Sequence, residues 1–138
     1  MLRFLIDTNI ISEPFKLEPV HSVVAKLQEA SEESAIAAVT WHELLYGFHR
    51  MPTSRRKRQL EIYLFQAIKP NLPILSYDER AAEWFAMERS RLTLLGKPPC
   101  YPDGQIAAIA NVNHLILVTR NVQDYQGFTD LEIENWFS

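Results

Sequence analysis

Four carboxylates, Asp7, Glu43, Asp103 and Asp124, punctuate an otherwise apolar pattern, and three of them directly follow or open a segment that reads as buried. Gathered in one crevice, like charges of this kind need a cation. Two carboxylates about 4 Å apart at an effective dielectric near 20 repel by about 4 kcal/mol, so protonation or a metal must relieve the cluster. An all-oxygen donor set selects magnesium or manganese. Singly, each acid has an ordinary role. Asp7 and Asp103 fit helix N-caps, Thr40 with Glu43 fits a capping box, and Asp124 fits an Asx turn. A shared functional role for the four therefore depends on whether the fold brings them together.

The elements needed to do so are legible as hydrophobic patterning. Leu2–Ile6 is a short, mostly apolar run ending in Asp7-Thr8-Asn9, which reads as a strand buried on both faces followed by a helix start. Val20, Val23, Val24 and Leu27 recur at helical spacing. Ser34–Val39 is a second strand candidate, and Thr40 opens a helix with an inner stripe of Trp41, Leu44, Leu45 and Phe48. A further helix lies within residues 53–68, with Leu60, Leu64, Ala67 and Ile68 on one side. Leu72–Leu75 suits a short strand. Ser76 with Glu79 has the form of a capping box opening a long helix that bears Ala81, Trp84, Phe85 and Leu92, and Gly96 closes that helix. After Lys97-Pro98-Pro99-Cys100-Tyr101-Pro102, Asp103 begins a helix rich in small apolar residues. His114–Thr119 is a third strong strand, and a weaker one falls near Leu131–Ile133. Alternation of this kind predicts an α/β fold with a mainly parallel sheet between helical layers, whose ligands sit beyond the carboxyl ends of the strands. Asp7 and the segment Asn121–Asp124 lie at two such ends.

Composition narrows the alternatives. A chain of 138 residues, 47% hydrophobic and 22% charged, fits one domain spanning residues 1–138. Its formal charge of −3 gives no overall basic field, so any contact with nucleic acid must be local. Arg50, Arg55, Arg56, Lys57 and Arg58 supply the one basic concentration, which suits a solvated helix face or a phosphate contact. The lone Cys100 allows no internal disulfide and points to a reducing compartment. No apolar run is long enough to span a membrane, and a cytoplasmic location is expected. His21, His42, His49 and His114 are scattered, and His42-Glu43 lacks a second histidine four residues on, which argues against zinc. Glycine-rich phosphate loops and serine elbows are absent. Trp41, Trp84 and Trp136 read as core.

Four segments arrive together: Leu5-Ile6-Asp7-Thr8-Asn9, Glu43-Leu44 with Gly47, Pro102-Asp103-Gly104-Gln105-Ile106-Ala107-Ala108, and Thr119-Arg120-Asn121 with Asp124-Tyr125. In these the chain resembles PIN-domain ribonucleases, most of all the VapC and FitB type of bacterial toxin, across nearly its whole length. The resemblance implies a three-layer α/β/α sandwich around a mainly parallel sheet. It also implies RNA cleavage dependent on magnesium, with manganese as an alternative, a homodimer, and a cognate antitoxin through which operator DNA is bound. Matched by position, Asp7, Glu43 and Asp103 form the acidic core, with Asp7 and Asp103 as the chief metal ligands. Asn121 or Asp124 completes the site, and Thr8 and Thr119 support it. The resemblance further suggests products with 5′-phosphate and 3′-hydroxyl ends. An alternative is a PIN fold with weak catalysis that binds RNA or an antitoxin. A phosphatase of the haloacid-dehalogenase type is disfavoured, because Asn9 stands where its second aspartate belongs.

Overall fold

The computed structural model describes residues 1–138. Five strands form one sheet: β1 Phe4–Ile6, β2 Ser34–Ala37, β3 Ile74–Leu75, β4 Ile116–Val118 and β5 Ile133–Glu134. Their order is β3-β2-β1-β4-β5. All four pairings are parallel, so the sheet is wholly and not just mainly parallel. The helices are α1 Thr8–Ile11, α2 His21–Glu29, α3 Ala38–Arg50, α4 Arg55–Ile62, α5 Glu79–Leu94, α6 Tyr101–Val112 and α7 Val122–Tyr125. A π-helical turn, Tyr63–Ile68, continues α4.

Alternation along the central strands sorts the core into two layers. Leu5, Ala35, Ala37 and Leu117 face α5, α6 and α7 in one cluster. Phe4, Ile6, Ile36 and Val118 face the other way, toward residues of α1 to α4. Strands covered on both faces carry apolar side chains in both directions, which explains why β1 reads as a continuous apolar run. The chain winds outward from β1 through β2 to β3, then returns past β1 to β4. The reversal places a crevice beyond the carboxyl ends of β1 and β4.

Helix α6 lies close against α5 because Gly104 has no side chain. A Cβ there would fall 1.9 Å from the Phe85 ring. Ile106 to Ala110 are all buried, so the small residues of α6 serve its approach to the sheet and to α5.

Several local readings are corrected by tertiary context. Helix α3 starts at Ala38, directly out of β2, and Ala37 is its cap residue without any side-chain cap. Thr40 is therefore inside the helix, with a buried hydroxyl that has no partner, and the Thr40–Glu43 capping box does not form. The helix after β3 is capped by Asp78, which accepts from the Ala81 N–H at 3.0 Å, and not by Ser76. Asp103 lies in the first turn of α6, while Cys100 is the cap residue. Of the three tryptophans only Trp136 is buried; it meets Phe4 edge to face at 5.3 Å, whereas Trp41 and Trp84 are half-buried against the two clusters. The basic concentration is partly absorbed by packing. Arg56 donates to the Phe15 carbonyl and stacks on its ring, and Lys57 lies over Phe48.

Candidate active site: an acidic centre at the switch point

Asp7 is fixed by the end of β1. Its N–H donates to the Val118 carbonyl at 2.9 Å, a last rung toward β4, and its extended backbone turns the chain into α1. One carboxylate oxygen accepts from the Thr8 N–H at 2.8 Å, so the N-cap reading holds, while the other accepts from Thr119 Oγ1 at 2.8 Å. Thr119 follows β4, and the bond therefore spans the switch point. Asp7 is only 6% exposed. Burial pushes its carboxyl above the ordinary range, the Thr119 and Thr8 hydrogen bonds pull it back, and the Asp103 charge adds to the rise.

The other acids arrive from separate elements. Asp103 reaches in from the first turn of α6 and Glu43 from α3. Thr8 Oγ1 donates to Glu43 Oε2 at 3.2 Å, which ties α1 to α3. The Tyr125 hydroxyl of α7 stands 3.3 Å from Asp103 Oδ1 and 3.5 Å from Asp7 Oδ2, shared between two carboxylates. Tyr125 is 1% exposed, and burial followed by the Asp7 and Asp103 charges drives its phenol far above the usual range, so it remains a donor at any working pH. Partial burial also raises the Glu43 carboxyl, with the charges of Asp7 and Asp103 adding to it.

The fourth position divides. Asn121 is exposed, and its N–H donates to Thr119 Oγ1 at 3.1 Å; its side chain makes no cap to α7. Asp124 is exposed too and shares with Asp103 and Cys100 a cleft of about 780 Å³. Asp124 thus faces the Asp103 side of the centre. Tyr125 and Asn9 join the site without a role that residue type and spacing predict. Asn9 Oδ1 accepts from the Arg120 N–H at 3.0 Å, which pins α1 to the loop after β4. Their sequence signal is membership of the family-like segments, Asn9 two residues after Asp7 and Tyr125 directly after Asp124.

The donor set suits a hard dication. It consists of carboxylate and hydroxyl oxygens, and the charge of Asp103 bears on Asp7. No three acid, histidine or cysteine side chains already close around a single point. A separate cavity of about 590 Å³, lined by residues such as Leu27, Tyr63 and Ile68, includes none of the four acids.

Residues 4–125 match the PIN domain. The chain belongs to the PIN-domain family. This PIN domain is 36% identical over 124 residues to Toxin FitB of Neisseria gonorrhoeae, covering 88% of this chain and 89% of that protein. It is 29% identical to the tRNA(fMet)-specific endonuclease VapC of Shigella flexneri over 99% of both chains. Among solved structures, the DNA-bound VapBC complex of Salmonella typhimurium contains a chain that superposes with a TM-score of 0.85 at 27% identity, over 99% of each.

Proposed function

We propose that this PIN domain is a magnesium-dependent endoribonuclease that acts as the toxin of a toxin–antitoxin pair. The observation that carries the reading is the junction at the switch point, where one buried tyrosine hydroxyl spans Asp7 and Asp103 while Thr8 links Asp7 to Glu43. Similarity to proteins named as toxins and as a nuclease supports the choice of RNA as substrate.

Asp7 and Asp103 would hold the cation, with Glu43 and either Asp124 or Asn121 beside it. Such a cation, when bound, offsets charge on the attacked phosphodiester and acidifies water. The chain's own groups do the positioning. Thr119 and the Thr8 N–H fix the Asp7 carboxylate, and Tyr125 keeps Asp103 beside it. Glu43 is held at one oxygen by Thr8 and leaves the other free to take a proton from the attacking water. Its raised carboxyl makes it a better base than an ordinary surface glutamate. Hydrolysis then proceeds without a covalent enzyme intermediate, leaving 5′-phosphate and 3′-hydroxyl ends.

The toxin role further predicts a homodimer and an antitoxin partner through which operator DNA is bound. Similarity to the DNA-bound VapBC complex supports the antitoxin partner. The competing reading, a weakly catalytic module that binds RNA or antitoxin, draws on the fact that the acids are not already closed around one point. Purified protein incubated with RNA, with and without magnesium, separates the two. Cleavage that requires magnesium and disappears in Asp103→Asn, with the fold retained, is expected; full activity of that variant would refute the assignment.

A further inference from the structure

Helix α3 brings more than Glu43 to the acidic centre. His42, Tyr46 and Arg50 recur one turn apart on the same exposed stretch. The His42 and Tyr46 rings lie 6.3 Å apart and 6° from parallel. The Arg50 guanidinium sits 4.8 Å above the Tyr46 ring, yet Tyr46 remains 58% exposed. His42 and Tyr46 of this ladder border a cleft of about 540 Å³ whose opposite side is Pro102 and Gln105 of α6, and Glu43 lines its wall. Glu43 is thus common to this cleft and to the acidic centre, and α6 carries both Gln105 and Asp103.

A chain of net charge −3 offers a phosphate backbone little overall attraction beyond its cation and a local basic patch, so contacts to the bases add to substrate affinity. Flat π surfaces bind bases without attracting the backbone, and they reach only bases that are unpaired. The Gln105 amide, half-buried in the cleft, both donates and accepts, as reading a base edge requires.

We propose that this cleft is the subsite for one nucleobase of single-stranded RNA adjoining the scissile phosphate. The base stacks on the Tyr46 face that the Arg50 guanidinium covers in the free protein, Arg50 moves from the ring to a neighbouring phosphate, His42 backs the wall, and Gln105 reads the base edge. The assignment rests on the ribonuclease reading. If the ladder served only to brace α3, its loss would weaken the helix slightly and leave RNA binding unchanged.

The test uses the uncleaving Asp103→Asn protein and a short fluorescein-labelled RNA carrying one 2-aminopurine, with anisotropy reporting affinity and 2-aminopurine emission reporting stacking. The parent should bind the single strand in preference to its duplex and quench the probe. Adding Tyr46→Ala should weaken binding about fivefold or more, the loss of one base stack, and abolish the quench. Tyr46→Phe should keep both. Gln105→Ala should level the preference among the four homopolymers. Failure of the parent to bind, or unchanged affinity and quench in the Tyr46→Ala protein, overturns the subsite. So does a loss that appears only alongside conversion of a dimer to a monomer by light scattering, because the face would then belong to a second copy. Wild-type protein that cuts no RNA in magnesium, alongside intact stacking in these binding assays, would fault the ribonuclease reading alone.

Discussion

Replacing Gly104 with Ala tests whether the acidic centre depends on the close approach of α6 to α5. The added Cβ would lie 1.9 Å from Phe85 Cε1 and Cζ and 2.7 Å from Cδ1, whereas carbon atoms rest about 3.5–4.0 Å apart. Relief requires the ring or the helix to move by about 1.5–2 Å relative to that spacing. The ring has little freedom, being 2% exposed and set edge to face against Tyr101 at 5.5 Å. Helix propensity favours Ala over Gly by about 1 kcal/mol. Overpacking costs about 1–3 kcal/mol and occasionally more, and an overlap this deep belongs at or above the upper end. A net destabilisation of about 2–3 kcal/mol follows, or a fall in Tm of about 6–10 °C for a chain of this size. Urea unfolding of wild type, Gly104→Ala, Phe85→Leu and the double variant measures it. The smaller Leu should offset part of the overlap, giving a favourable coupling of about 1–2 kcal/mol between the two changes. Because Asp103 is the preceding residue, the shift should also draw its carboxylate from Tyr125 and reduce cleavage. A Gly104→Ala protein as stable as wild type, or more so, would refute the argument.

Asp7→Asn should raise the metal-free Tm near neutral pH, since an amide keeps the Thr8 N–H bond and can donate to Thr119 while removing a buried charge. The native carboxyl titrates above its unfolded value of about 3.9, so its contribution to stability is complete below that pH and is lost as pH rises through the elevated native value. The Tm advantage of the variant should accordingly grow with pH, and a flat difference across the range would contradict this. Tyr125→Phe keeps the buried ring and deletes one shared hydroxyl, so stability should change by no more than about 1.5 kcal/mol while kcat falls by about tenfold or more, roughly the cost of one misplaced catalytic group; equal activity would remove Tyr125 from the site. Glu88 pairs with Arg91 at 2.9 and 3.1 Å and accepts from the Thr129 N–H at 2.6 Å, joining α5 to the chain beyond α7. Arg91 first, then Thr129, holds the Glu88 carboxyl below its usual range. Its contribution is therefore present above the unfolded value of about 4.3 and lost as pH falls through the native one. Glu88→Gln should lower Tm near neutral pH and converge with wild type in acid, as thermal melts in a pH series would show.

The sequence by itself determined the sheet and the identities of the acids. Strand and helix periods are local properties, so β1, β2, β4 and most helices were legible from apolar spacing, and order along the chain implied the parallel winding. Helix boundaries were less legible where tertiary contacts outweigh local caps. Thr40 and Glu43 look like a box, yet β2 runs straight into α3 and Glu43 turns instead to Thr8. What only the tertiary structure decided is the wiring of the centre: the Thr119 bond to Asp7 across 112 positions, the Tyr125 hydroxyl between Asp7 and Asp103, and the placement of Asp124 on the Asp103 side. Hydrogen bonds between residues so distant in the chain leave no period or composition in the sequence. They exist because the strand order reverses at β1 and sets the ends of β1 and β4 side by side.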